Sequence, residues 1–176
     1  MIESYNMFEI PLIRVASSDW KRKKKEIRKH INYRNIKRKN NAPFLTDRFS
    51  DNFYTNEFSQ IFKDELNVFL EKIKKIELKI TSMWSVSYWQ GDYHPTHNHG
   101  GIGYSAILHY DHNPRLHDSA YFISPLPDPL TGDTAWRKFG ANEGDFYFFP
   151  SSILHFTTPN KSPIIRRSIG FDIIVP

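Results

Sequence analysis

Ser82 to Gly101 reads SMWSVSYWQGDYHPTHNHGG. Its first half alternates: Trp84, Val86 and Tyr88 fall on one face of an extended chain, with Ser85 and Ser87 between them, which is the two-residue period of a strand. Its second half follows a Gly-Asp turn and carries His94, His97 and His99, three of the chain's 8 histidines. Packing rarely needs histidines so close together. In an extended segment His97 and His99 leave the same face, which is how a strand end offers two ligands to one metal. Neutral imidazole suits iron, copper, nickel or zinc. Pro95 interrupts a simple strand between His94 and His97, so His94 is the weaker candidate.

From Lys79 onward the same strand character recurs. GYSAILHY, SAYFIS, GDFYFFP and IIRRSIGFDIIV are further strands, separated by Gly, Pro, Asp and Asn. Upstream the pattern changes. Met7–Arg14 reads as a short strand with Phe8, Ile10 and Leu12 on one face. A helix is expected from about Asp19, N-capped by Ser17 or Ser18, with Trp20, Ile27 and Ile31 on one side. A second helix is expected from about Glu57 to Ile76, with an apolar stripe of Phe58, Ile61, Phe62, Leu66, Phe69, Leu70, Ile73 and Ile76. Residues 37–53 read as a polar loop. Helices followed by a run of antiparallel strands describe a mainly β chain with N-terminal helices, folded as a barrel or jelly roll. The expected layout is one domain over 1–176, with a strand and supporting helices in 1–78 and a jelly-roll core with the metal site in 79–176.

Composition agrees and excludes. The 176 residues are enough for one sizeable core. Aromatics make up 15% and there are 11 Pro, which fits strands and turns better than a helix bundle. With no Cys there is no disulfide, thiolate metal site or Cys nucleophile, so His, Asp or Glu must hold any metal. No signal peptide and no apolar run of membrane-spanning length is visible, so the expectation is a soluble cytoplasmic protein. The net charge of +5 is local in origin. Lys21 to Lys39 holds eleven Lys and Arg and one Glu, leaving thirteen basic against eighteen acidic residues elsewhere. That run reads either as a contact to nucleic acid or an acidic partner, or as the solvated face of a helix; the second is preferred.

Two further segments carry chemistry. FFPSSILHFTTPN places His155 after an aromatic strand and a Pro-Ser-Ser turn; alone it reads as a satisfied core histidine, but beside His97 and His99 it is the best candidate for a third ligand. In RRSIGFDIIV, Arg166, Ser168, Gly170 and Asp172 share one face, while Arg167, Ile169, Phe171, Ile173 and Val175 share the other. An Arg fork beside a hydroxyl suits a carboxylate, against the plainer reading of an Arg166–Asp172 ion pair. His109, His112 and His117 read as strand or loop residues.

Together these residues resemble the iron(II)- and 2-oxoglutarate-dependent oxygenases, nearest to their prolyl-hydroxylase-like group and to small phage and marine bacterial relatives. The likeness rests on Tyr88, Gly91, His97 and His99 in YWQGDYHPTHNH, on SAILHY, on the Phe-Pro-Ser segment ending in His155, and on the Arg-x-Ser of Arg166 and Ser168. It implies a double-stranded β-helix, a cupin-like jelly roll. It implies Fe(II) held by His97 and His155, with His99 where the family has Asp, and 2-oxoglutarate held through Arg166 and Ser168. The implied activity is dioxygenase chemistry, the hydroxylation of a small-molecule or protein side-chain substrate, with no catalytic residue beyond the metal ligands. At His99 three outcomes are open: a three-His site, an open coordination position as in halogenating relatives, or lost activity. The first is preferred, since His is a competent ligand on the right face. Two other readings stand beside this one: a three-His dioxygenase that does not use 2-oxoglutarate, and a catalytically silent metal-binding jelly roll serving in assembly or nucleic-acid contact. Three His also make a zinc constellation. Pro125–Phe139, with Trp136, Arg137 and Lys138, is the expected substrate loop.

Overall fold

The computed structural model describes residues 9–31, 42–48 and 54–176. Two antiparallel sheets face each other. The larger has the order β1-β8-β5-β10-β3-β2, formed by β1 (Ile13–Ala16), β8 (Asp145–Pro150), β5 (Tyr104–Asp111), β10 (Arg166–Ile174), β3 (Lys79–Tyr88) and β2 (Leu45–Thr46). The smaller has the order β4-β9-β6-β7, formed by β4 (His94–His97), β9 (His155–Thr157), β6 (Tyr121–Pro127) and β7 (Thr134–Lys138). Among the described residues, three helices precede the main run of strands: α1 (Trp20–Ile27), α2 (Thr55–Ile61) and α3 (Lys63–Lys72). This is the expected mainly β jelly roll, buttressed by helices. No helix among the described residues is long and apolar enough to cross a membrane.

β8 shows why the larger sheet is buried on both sides. Phe146 and Phe148 point to the helices, where Phe69 stacks on Phe148 at 4.3 Å and Phe62 meets Phe146 edge-on at 5.2 Å. Tyr147 and Phe149 point the other way, into the space between the sheets, and pack with Phe122 and Ile153 of the smaller sheet side. An aromatic run without polar alternation is the pattern of a strand covered on both faces. β10 divides the same way. Ile169, Phe171 and Ile173 join the core under the helices, whereas Arg166, Ser168 and Gly170 line the cavity between the sheets.

Several local expectations need correction. The first strand is Ile13–Ala16, and Met7 and Phe8 of the expected Met7–Arg14 strand lie outside the described residues. Its core residues are Ile13 and Val15, because the register Ile13↔Phe148 aligns them with the helix-facing phenylalanines of β8; Ile10 is exposed and Leu12 packs toward the inter-sheet cluster. The second helix is two helices, broken at Phe62, and ends at Lys72; Ile76 is 96% exposed. The serine cap does not form. Asp19 occupies the N-cap in a left-handed conformation, and Ser17 Oγ and the Ser18 N–H both donate to Glu65. Pro125–Phe139 is no irregular loop: most of it is the β6–β7 hairpin.

The basic run is not simply a solvated face. Lys23 and Glu65 are each about 98% buried, and the Lys23 ammonium donates to both Glu65 oxygens at 2.8 and 2.9 Å. Lys24 bridges Asp111 at 2.6 Å and Glu143 at 2.9 Å. Arg22 pairs with Asp19 and Glu26 along its own helix. Charge here ties α1 to α3 and to the sheet. Residues 32–41 of the run and its loop lie outside the described residues.

Candidate metal centre

Strand register brings the first two candidate ligands together. β4 and β9 run antiparallel with His97 directly opposite His155, and their rings lie 4.3 Å apart. His99 lies just past the end of β4, so strand parity alone does not place it. Its backbone N–H donates to Ser151 O at 2.9 Å, which turns the chain back over the site. Its ring then stands 5.1 Å from His97 and 5.2 Å from His155. One nitrogen from each of the three lies within 4.8 Å of the others. Three ligands at about 2.1 Å from one metal stand roughly 3 Å apart, so a modest rotation of the rings closes the set.

The remaining ring nitrogens fix the tautomers. His97 Nδ1 faces Pro95 O at 2.8 Å and His155 Nδ1 faces Ile153 O at 3.0 Å. A carbonyl only accepts, so both Nδ1 atoms carry the proton and both Nε2 lone pairs are free for a metal. His99 Nδ1 lies 2.8 Å from Asp172 Oδ1, a close contact that is not aligned as an in-line hydrogen bond. Burial holds His155 down to about 3, with His97 adding to the effect, and burial lowers His97 as well. Neutral imidazole is the form that binds a metal.

Asp172 is the anchor that sequence reading missed. It does not pair with Arg166. Ser82 Oγ donates to its Oδ2 at 2.7 Å, Ser105 Oγ donates to its Oδ1 at 2.8 Å, and His99 lies against Oδ1. Burial pushes this carboxyl upward, but His99 and Ser82 outweigh burial and hold it below the usual carboxylate range. The negative charge that a carboxylate ligand would bring is therefore present one imidazole away. Trp84 completes the support by stacking on His99 at 5.2 Å and 17°. Gly170 makes room for it, since a Cβ there would stand 2.7 Å from the indole.

His94 does not join the ligand set. It lies between Phe44 and His97, 4.1 Å from each, and its Nδ1 is 3.2 Å from Tyr88 Oη. Burial, with His97 and His155 next, lowers it to about 2, so it stays neutral in this wall.

The cavity at the candidate metal centre, about 610 Å³ of atom-free space including its open mouth, extends to Arg166. Arg166 is only 4% exposed and forms no ion pair with any described residue. Its Nη1 donates to Asp118 O at 2.7 Å and its Nη2 to Thr158 O at 3.2 Å, and the guanidinium lies 4.4 Å over the Tyr88 ring. Burial lowers its pKa. Ser168 lines the same wall, opposite His109 of β5. His109 and His112, read from the sequence as strand or loop residues, also line this cavity.

No family model matches the chain, and no curated protein matches it in sequence. Solved structures do match. The non-heme alpha ketoglutarate dependent carbocyclase SnoK from nogalamycin biosynthesis is 9% identical with a TM-score of 0.68, covering 93% of this chain and 79% of that one. A Pseudomonas putida prolyl-4-hydroxylase is 10% identical with a TM-score of 0.62, covering 94% and 92%. The viral collagen prolyl hydroxylase of Paramecium Bursaria Chlorella virus-1, solved as its 2OG complex, is 12% identical with a TM-score of 0.61, covering 94% and 96%. At these identities the likeness is one of architecture, and the chain has the double-stranded β-helix fold of the non-haem 2-oxoglutarate-dependent oxygenases.

Proposed function

We propose that the protein is a non-haem Fe(II)- and 2-oxoglutarate-dependent dioxygenase that hydroxylates a small-molecule or protein side-chain substrate. The observation that carries this reading is one cavity with a metal-competent three-His cluster and a buried Arg166 that has no anionic partner among the described residues. A buried unpaired guanidinium is costly unless a ligand neutralises it. A dicarboxylate that also chelates a metal meets both needs at once. A three-His dioxygenase without such a cosubstrate leaves Arg166 without a task.

When bound, iron and 2-oxoglutarate supply the oxidising chemistry: one oxygen atom goes to the substrate and the other to succinate, with loss of CO₂. The chain supplies placement. His97, His99 and His155 hold the metal, and Asp172 steadies His99 and contributes a fixed negative charge. Arg166 takes the far carboxylate, with Ser168 on the same wall. Val86, Ala106 and Ile107 give that cavity apolar sides that limit water.

The deciding experiment is an anaerobic titration with Fe(II) and 2-oxoglutarate, following the weak visible charge-transfer band of the chelate, with Arg166→Ala alongside. The expected result is a band in the parent that fades in the variant. Iron binding without a band points to a three-His site of another kind. Binding of zinc in preference to iron, with no keto acid bound, points to the silent jelly roll, and salt-sensitive nucleic-acid binding independent of metal would support that outcome.

A further inference from the structure

Arg166 and His112 both line the cavity, and each has a buried nitrogen with no partner among the described residues: Arg166 Nε and His112 Nδ1. Leaving a buried polar atom unpaired is costly. Two such atoms lining one cavity call for an acceptor from outside the chain. His112 is 5% exposed and follows β5 directly.

The neighbours of His112 are already committed. The His109 ring meets it edge-on at 4.9 Å, and His109 Nδ1 faces Asp145 O at 3.1 Å. The His117 ring lies 5.7 Å away with both nitrogens in use: Nδ1 accepts from the Asn113 N–H, and Nε2 donates to Ile164 O. Ser119 donates to Phe139 O.

The nearby carboxylates are committed too. Asp111 is held by Lys24 and Arg167, Glu143 by Lys24 and Trp20, and the Asp118 carboxylate by Lys138 and Thr158. Asp118 offers Arg166 only its backbone oxygen. Asp145, also close to His112, is held by Arg14 and the Asn142 N–H, and Glu143 further accepts from the His112 backbone N–H at 3.4 Å. Among the described residues, this end of the cavity therefore presents a cation and a spare imidazole nitrogen that no carboxylate bonds.

We propose that His112 is a specificity residue of the cosubstrate site: its Nδ1–H and the Arg166 guanidinium together seat the far carboxylate of the keto acid. The inference rests on the 2-oxoglutarate reading above. It adds a donor that neither strand parity nor the family likeness assigned. His112 needs no positive charge for this role, because neutral imidazole carries one N–H and can place it on Nδ1.

The test compares two keto acids of equal chain length, 2-oxoglutarate and 2-oxopentanoate, which has a methyl in place of the far carboxylate. Each is titrated calorimetrically into the anaerobic Fe(II) protein. The readout is the ratio of the two dissociation constants, which does not depend on how much of a variant is folded. The parent is expected to prefer 2-oxoglutarate. His112→Leu should cut that preference about tenfold or more, as expected for losing a hydrogen bond to a charged group. His112→Asn, whose amide N–H stands near the position of Nδ1, should restore most of it. In the parent, 2-oxoglutarate should also shift the His112 ring resonances in nitrogen-correlated NMR spectra, while 2-oxopentanoate should leave them near their starting positions. If His112→Leu keeps the preference, or weakens both acids equally, the seat is overturned while the oxygenase reading stands. If the metal-loaded parent binds neither acid, the oxygenase reading falls and the seat falls with it.

Discussion

Two buried polar clusters in this molecule have opposite characters. At the helix–sheet junction Glu65 receives Lys23, Ser17 Oγ and the Ser18 N–H, and Lys23 gives two bonds to its carboxylate. Between the sheets, Arg166 and His112 keep nitrogens unpaired among the described residues, and His97, His99 and His155 each bring one ring nitrogen within 4.8 Å of the others. Arg166, His112 and His155 are buried about as deeply as Lys23 and Glu65, while His97 and His99 are only partly buried; the sharper difference is in satisfaction. A polar cluster that completes its own hydrogen bonds holds the scaffold, whereas one left incomplete is built for something the chain does not supply.

The sharpest way to break this contrast is to remove Glu65. Glu65→Ala strands the buried Lys23 ammonium and should cost about 3–5 kcal/mol of stability in urea unfolding. Metal affinity of the remaining folded protein should not change. The reverse pattern is expected at the metal centre. His97→Ala should lower Fe(II) affinity by more than about 100-fold by equilibrium dialysis, with apo-protein stability within about 1 kcal/mol of the parent. If His97→Ala instead unfolds the protein, the cluster is scaffold and the contrast fails.

Asp172→Asn sharpens the role of the carboxylate behind His99. Removing the partner of a metal-bound histidine typically costs 10–100-fold in metal affinity, and this range is expected here. The smallest effect concerns pH. His109 is held down to about 4, chiefly by burial, from the usual 6.5, so the folded form resists protonation that the unfolded chain accepts. Its contribution is present above pH 6.5 and lost as pH falls toward 4. His109 alone should account for a loss on the order of 1.5 kcal/mol between pH 6.5 and 5 in the metal-free protein. His112, held to about 3 by burial and by His109, adds in the same direction. A flat urea midpoint over that range would show that these rings are not buried neutral.

How much of this could be read from the chain depends on the range of the interaction. Trp84, Val86 and Tyr88 on one face, and Arg166 and Ser168 facing away from Ile169 and Phe171, follow from a two-residue period and needed no partner. The parity of β1 was misjudged because Ile13 and Val15 take their direction from β8, more than a hundred residues away. Glu57 to Ile76 has a continuous helical stripe, and nothing in that stripe marks the break at Phe62.

At the site, His97 and His155 were legible as ligand types, and their pairing across β4 and β9 is a matter of register. His99 was counted by strand parity, yet it lies past the strand end and reaches the others through a turn held by Ser151. Asp172 looked like a candidate partner of Arg166 because both share a strand face. Six residues separate them, which at about 3.3 Å per residue is roughly 20 Å of strand, so each meets a different neighbour.

The sequence by itself determined the periods, the donor types and the absence of thiols: strands after helices, imidazoles in place of Cys, and an arginine on a polar face. Those are properties of single residues and near neighbours. Only the tertiary structure decided which polar groups end up satisfied. It gave Lys23 to Glu65 and Asp172 to His99, and it left Arg166 and His112 waiting in one cavity. Satisfaction depends on contacts between strands and helices far apart in the chain, and no local pattern encodes them.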